Sequence, residues 1–102
     1  MTAMPCAAPR ATDTTRLEPH VRALYFVTGD TDPGLLARLL QPFAKLGLVP
    51  HRVHATSEHG DGSEQSVDLR VSGVPQRQAR LIEAMLRATI GVLQVVMVIE
   101  TA

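Results

Sequence analysis

The sequence has few aromatic side chains, almost no cysteine and no surplus of either charge. Its 102 residues include one Tyr, two Phe, no Trp and a single cysteine, Cys6, and ten basic residues balance ten acidic ones. A lone cysteine excludes an intrachain disulfide and a multi-cysteine metal site. Without a basic surplus or a set of stacking aromatics, the chain is poorly suited to bind nucleic acid. No apolar run approaches the roughly 18 residues of a membrane-spanning helix.

The composition that remains is typical of one small globular domain with a tail before it. Hydrophobic residues make up 45% of the chain and charged residues 20%, as in folded proteins. Residues 1–19 are rich in Ala, Thr and Pro, so we expect them to be disordered, with Cys6 as an exposed thiol without a role. We expect residues 20–102 to form the folded domain. The start of the chain lacks a secretory signal, so we expect a cytoplasmic protein. We also expect no cofactor, metal, nucleic-acid or membrane partner.

Hydrophobic patterning in the folded part predicts six elements in the order β-α-β-β-α-β. The strands are expected at 21–28, 52–57, 65–73 and 92–99, where β-branched or alternating apolar residues occur. For the first helix, Asp32 is expected to be the N-cap, Pro33 the first residue and Gly47 the stop. Pro42 should kink or shorten this helix. The second helix opens at Pro75, ends at Gly91 and has an apolar stripe of Leu81, Ile82, Met85, Leu86 and Ile90.

This order of elements predicts an α+β, ferredoxin-like fold. Right-handed crossovers give a four-stranded antiparallel sheet in the order 4-1-3-2, with both helices on one face. Depending on register, the other face carries Ala23, Tyr25 and Val27 with Val92, Val96 and Val98, or their alternates. That is more apolar surface than a monomer usually exposes, so we expect a second copy or a larger protein to cover it.

The sequence shows no convincing catalytic set, and we predict that the protein is not an enzyme. His51 and His54 are three apart on a strand, so they point to opposite faces and cannot share a metal. His59 and Asp61 lie in a glycine-rich segment that we interpret as a solvated turn. A small isomerase on this fold would need His51 or Asp30 as its base, and nothing else completes such a site.

The segment that best suits a ligand is Gly-Asp-Thr-Asp-Pro-Gly-Leu-Leu at 29–36. A glycine in the first turn leaves backbone N–H groups uncovered, and these donors together with the helix dipole suit a carboxylate. A well-capped helix start without any ligand explains the same residues equally well.

Several segments together resemble an ACT domain over 21–100. They are Asp-Pro-Gly-Leu-Leu-Ala-Arg after the first strand, Lys-Leu-Gly-Leu at 45–48, and Gly-Val before the last strand. The resemblance implies a non-catalytic regulatory module that binds an amino acid and often pairs side by side into an eight-stranded sheet. A chain of this length is similar to the small regulatory subunits of acetohydroxyacid (acetolactate) synthase. Those subunits activate a large catalytic subunit and confer feedback inhibition by branched-chain amino acids.

The resemblance also implies where the amino acid would bind. In a homodimer it would lie between the first loop of one chain and the start of the second strand of the other. The residues concerned are Thr31, Asp32, Pro33, Gly34 and Leu35, and on the other chain Val49, Pro50 and His51. The alternative is a pure protein-interaction subunit, whose apolar strands dock on another chain and whose first loop only begins a helix.

Overall fold

The computed structural model describes residues 19–58 and 62–101, which form the six predicted elements. The elements are β1 (His20–Asp30), α1 (Leu35–Lys45), β2 (Arg52–Glu58), β3 (Glu64–Pro75), α2 (Gln76–Arg87) and β4 (Val92–Thr101). Cys6 and nearly all of the predicted tail lie outside the described residues, as do His59 and Asp61. In the ranges that are described, neither helix is long and apolar enough to cross a membrane.

The four strands form one antiparallel sheet in the order β2-β3-β1-β4, which confirms the predicted ferredoxin-like topology. One face of the sheet packs against both helices, and burying each large apolar side chain there contributes roughly 1.5–3 kcal/mol. The core side chains are Val21, Ala23, Tyr25 and Val27 of β1, Val67, Leu69, Val71 and Val74 of β3, Val95 of β4, Leu35, Leu39 and Phe43 of α1, and Ala79, Ile82 and Leu86 of α2.

Helix α1 ends where its sequence predicts. Gly47 has φ +71°, a left-handed conformation that glycine adopts without steric cost. Its N–H donates to the Ala44 carbonyl at 3.1 Å, and the Leu48 N–H donates to the Phe43 carbonyl at 2.8 Å. These two bonds are the Schellman pattern. Pro42 does not shorten the helix, which continues to Lys45, because burial of its ring in the core offsets the one lost donor.

The start of helix α1 differs from the prediction. The helix begins at Leu35 with Gly34 as its N-cap, and no side chain makes a capping hydrogen bond. Neither Asp32 as N-cap nor Pro33 as first helical residue is therefore correct. The Leu35 N–H donates to the Asp32 carbonyl at 3.0 Å, which closes a tight turn before the helix. The Asp32 carboxylate is drawn to Arg38, one turn into the helix.

The predicted apolar stripe of helix α2 is also partly wrong. Leu81 is 47% exposed and Ile90 is 80% exposed. The helix ends at Arg87, so Ile90 lies beyond it and helical spacing no longer sets its direction. Ala79, which the pattern missed because it is small, is fully buried beside Ile82.

The face of the sheet that no helix covers, here called the open face, divides into two halves. Ala23, Tyr25 and Val27 point to the helices, so the open face carries their alternates. Its apolar half is Leu24 and Phe26 of β1 opposite Val98 and Val96 of β4. Its charged half is Arg70 and Asp68 of β3 opposite Arg52 and His54 of β2. Val92 packs against the core instead of the open face.

Candidate functional site

The candidate site is the turn that joins β1 to α1. The start of its backbone is fixed by hydrogen bonds to two neighbouring segments. The Asp30 N–H donates to the Gly91 carbonyl at 2.9 Å, and the Thr31 N–H donates to the Ser63 carbonyl at 3.3 Å. The turn is therefore held between the β2–β3 connection on one side and the α2–β4 connection on the other.

A charged pair occupies the entrance to helix α1. Arg38 Nη2 donates to Asp32 Oδ2 at 2.5 Å. The Arg38 guanidinium, and after it the backbone N–H of Gly34, hold the pKa of the Asp32 carboxyl below its usual range. The Asp32 side chain is 43% exposed and that of Arg38 34% exposed. Both charges are therefore accessible to a solute.

Arg38 also connects the candidate site to the α2–β4 connection. Its Nε donates to the Ile90 carbonyl at 3.2 Å. A Cβ on Gly34 would lie 2.7 Å from Arg38 Nη1, and one on Gly91 would lie 3.3 Å from Nη2. The guanidinium thus fills the space left by two glycines, and any side chain at Gly34 must displace it.

The second predicted group lies at the other end of the sheet. Arg52 pairs with Arg70, which pairs with Leu24, whereas Asp30 pairs with Glu64. Six residues of strand therefore separate the level of Arg52 from that of Asp30, or about 20 Å at 3.4 Å per residue. Val49, Pro50 and His51 precede Arg52 and lie farther still. A single chain does not bring them to the Thr31–Leu35 turn.

The residues of this second group differ in what they contact. Val49 is 84% exposed. The His51 N–H donates to the Arg70 carbonyl at 2.8 Å, which extends the β2–β3 ladder. Its ring Nδ1 lies 3.2 Å from the Ser72 hydroxyl. His51 and Asp30, each considered as the base of an isomerase, are at opposite ends of the sheet within one chain.

The open face holds a cluster that sequence reasoning missed. Asp68 accepts two hydrogen bonds from Arg70, at 3.1 and 3.0 Å, and Arg52 Nε lies 3.5 Å from the same carboxylate. The Arg70 guanidinium holds the pKa of Asp68 below its usual range. An open depression of about 170 Å³, lined in part by Phe26 and His54, adjoins the cluster. The strand alternation signalled only that Asp68 and Arg70 point away from the helices.

None of these arrangements resembles a metal centre. Within 19–58 and 62–101, no three His, Cys, Asp or Glu side chains come together in a group that could hold an ion. The polar groups that these two regions assemble are an Asp–Arg pair and an Arg–Asp–Arg cluster. Both suit charged solutes better than metal ions, because arginine is a donor only.

The ACT-like domain model matches residues 15–101 of the chain, almost its full length. The chain belongs to the ACT-like domain family. Domains of this family are typically regulatory modules that bind amino acids. The family thus agrees with the resemblance of the sequence around the first turn. A comparison with curated protein sequences finds no match.

Solved structures of ACT domains share the fold of this ACT-like domain. The ACT domain of GTP pyrophosphokinase from Chlorobium tepidum is similar with a TM-score of 0.64 at 13% identity, over 78% of this chain and 99% of that one. The regulatory subunit of aspartate kinase from Thermus flavus is similar with a TM-score of 0.57 at 21% identity, over 76% of this chain. The match covers 51% of the kinase subunit. At these identities the likeness extends to the fold alone.

Proposed function

We propose that this ACT-like domain is a non-catalytic regulatory module that binds an amino acid as a homodimer. The observation that carries the proposal is the accessible Asp32–Arg38 pair at the start of helix α1. A free amino acid has an ammonium and a carboxylate on neighbouring atoms. Asp32, kept ionised by its neighbours, matches the ammonium. Arg38 and the positive end of the helix dipole match the carboxylate.

The same contacts limit the affinity. The Asp32 carboxylate already accepts the Gly34 N–H, so a ligand carboxylate must compete with it for that donor. Three charge-assisted hydrogen bonds at roughly 1.5–3 kcal/mol each, before entropy costs, correspond to micromolar to millimolar binding. That range suits a sensor of metabolite concentration.

A second copy would complete the proposed site. Antiparallel pairing of two β2 edges sets the start of one β2 beside the end of the other. The end of β2 is level with Asp30, because Glu58 pairs with Glu64 and Glu64 with Asp30. Val49, Pro50 and His51 of the second copy would then reach the end of the sheet where Thr31–Leu35 lies. This geometry supports a homodimer in which each site is shared.

The effector and the partner that we propose follow the family resemblance of the first turn. The effector is a branched-chain amino acid, and the partner is the large catalytic subunit of an acetohydroxyacid synthase in the cytoplasm. Asp-Pro-Gly-Leu-Leu-Ala-Arg at 32–38 supports this assignment, and its first and last residues form the charged pair.

Calorimetry with a panel of amino acids tests the proposed ligand. We expect binding in the micromolar to millimolar range, strongest for valine, leucine or isoleucine, and its loss in Gly34→Asp. The new side chain must displace Arg38, whose Nη1 lies 2.7 Å from the added Cβ position. Ala84→Asp adds the same charge at an exposed position of α2 and should bind normally. Absence of heat with every amino acid at millimolar concentration would overturn the proposal.

A second candidate, a pure interaction subunit, is favoured by the apolar half of the open face, where Phe26, Val96 and Val98 are 39%, 45% and 41% exposed. In this case the protein raises the activity of a large synthase subunit without any effector. The Gly34→Asp variant separates the two functions. It should abolish the response to an effector under the first proposal, and it should leave activation intact under the second.

A further inference from the structure

The edge of the sheet formed by β4 has the properties of an interface. β4 is the last strand in the order β2-β3-β1-β4, so among the described residues one of its edges pairs with β1 and the other pairs with no strand. It is ten residues long and has one charged residue, Glu100. Leu93, Val96 and Val98 are 57%, 45% and 41% exposed. Proteins usually protect such an edge with lysine, proline or a short strand.

The opposite edge of the sheet, formed by β2, is shorter and more polar. β2 is seven residues long and is polar at most positions. Arg52, His54 and Thr56 project from it onto the open face, and Arg52 interacts with Asp68 there. The two edges of the same sheet thus differ in length, charge and apolar exposure.

We propose that β4 pairs antiparallel with β4 of a second copy, about a two-fold axis at Met97. Residues of β4 at equal distances on either side of Met97 have similar side chains. Val96 then lies opposite Val98 of the second copy, Val95 opposite Ile99, and Gln94 opposite Glu100. Every apolar residue in these pairs meets an apolar residue, and the one charged residue meets an amide. Two-fold interfaces require this self-complementarity.

Other registers that keep each residue on its own face fit less well. The pairing can slip only in steps that preserve the alternation of side chains. Moving the axis to Val96 places Glu100 opposite Val92 and Gln94 opposite Val98. Moving it to Val98 places Glu100 opposite Val96. Each of these leaves a charged side chain against a valine, at a cost that the Met97 register avoids.

The division of the open face into two halves also favours pairing through β4. The apolar half, formed by Leu24, Phe26, Val96 and Val98, lies next to β4. Pairing through β4 brings the apolar halves of two copies together in the middle of an eight-stranded sheet and leaves the charged halves at its outer strands. Pairing through β2 alone would do the reverse and leave the apolar halves at the outer strands.

This interface goes beyond the proposed function, because it does not involve Thr31–Leu35 or the β2 edge. A chain that used both edges would assemble beyond a dimer. Gly34→Asp, which tests amino-acid binding, leaves β4 unchanged. Failure of one proposal is therefore distinguishable from failure of the other.

Cysteine cross-linking tests the register directly in a Cys6→Ser background. Residues that face each other across an antiparallel pair have Cα atoms about 4.5 or 5.5 Å apart, which a disulfide can span. A two-fold axis at Met97 places this residue opposite itself, so Met97→Cys should give a disulfide-linked dimer under mild oxidation. Ala55→Cys, at the centre of β2, reports pairing through the other edge. Cross-linking of Ala55→Cys alone would overturn the proposal.

Light scattering with two lysine variants tests whether the copies associate through the β4 edge. Val96→Lys places a charge opposite Val98 of the second copy and should weaken association by about tenfold or more. Val96 is 45% exposed, so the monomer should still fold, which circular dichroism checks. Thr56→Lys places the same charge on the open face at the β2 edge and should retain β4 pairing. A wild-type chain that stays monomeric at about 100 µM would refute the interface.

Discussion

At the scale of single residues, Arg38 connects the first turn to the α2–β4 connection. Its guanidinium joins the Asp32 carboxylate to the Ile90 carbonyl, and it fills the space beside two glycines. The sequence pattern indicated this arginine only as part of a family segment. Its carbonyl partner is 52 residues away in the chain, and no local spacing reports a contact of that kind. The start of α1 was mispredicted because Asp32 closes a tight turn with Leu35, and the helical bonds begin only where the Arg38 N–H donates to the Gly34 carbonyl.

The Arg52–Asp68–Arg70 cluster predicts a loss of stability in acid. The neighbouring arginines lower the pKa of Asp68 below its ordinary 3.8. A carboxyl whose pKa is lower in the folded state stabilises the fold above the unfolded pKa, and this contribution disappears as pH falls through the folded value. The unfolding free energy should therefore decrease below about pH 4, as measured by urea denaturation.

Asp68→Asn tests whether the Asp68 carboxyl causes this loss of stability in acid. The variant should be less stable than wild type at neutral pH, and the difference between the two should shrink as pH falls below about 4. Asp30→Asn removes an exposed carboxylate at the end of β1 and serves as the control. A stability difference between Asp68→Asn and wild type that is equally large at pH 7 and in strong acid would contradict this account.

At the scale of elements, the sequence predicted the strands, the end of α1 and the start of α2 better than the start of α1 and the end of α2. Gly47 and the alternation of Val67, Leu69 and Val71 are local signals, and the structure confirms both. β1 was different because it is apolar on both faces. Its alternation therefore could not decide whether Tyr25 or Phe26 faces the helices. The register with β3 and the packing of α2 on Tyr25 decide it.

The Tyr25 hydroxyl links helix α2 to the central strand β1 by a hydrogen bond. It is buried and donates to the Ala79 carbonyl at 2.6 Å, and burial raises its pKa. Tyr25→Phe keeps the ring and its edge contact with Phe43, whose centroid is 6.1 Å away. The variant should lose about 0.5–1.5 kcal/mol of unfolding free energy, measured by chemical denaturation. Tyr25→Leu also loses the ring contact and should cost more, whereas equal stability of Tyr25→Phe and wild type would show that the bond contributes nothing.

At the scale of the whole molecule, the open face has an apolar half next to the β4 edge and a charged half next to the β2 edge. The sequence indicated an apolar surface in need of a partner, but it did not show that the surface is only half apolar. That division arises because Asp68 and Arg70 of β3 and Arg52 of β2 are charged, while Leu24 and Phe26 of β1 and Val96 and Val98 of β4 at the same levels are apolar. The topology sets it, since strands that are distant in sequence become neighbours. The apolar half therefore adjoins the β4 edge.

Pairing through β4 makes the thermal stability depend on protein concentration. A dimer that dissociates on unfolding is stabilised by mass action, so a tenfold higher concentration should raise Tm by about 3–5 °C for a domain of this size. Val96→Lys should reduce this dependence, because the charge opposes pairing of the β4 edges and leaves only pairing through β2. Thr56→Lys should keep it. If the dependence instead persists in Val96→Lys and disappears in Thr56→Lys, the copies associate through β2, and the apolar half of the open face is left for a different protein.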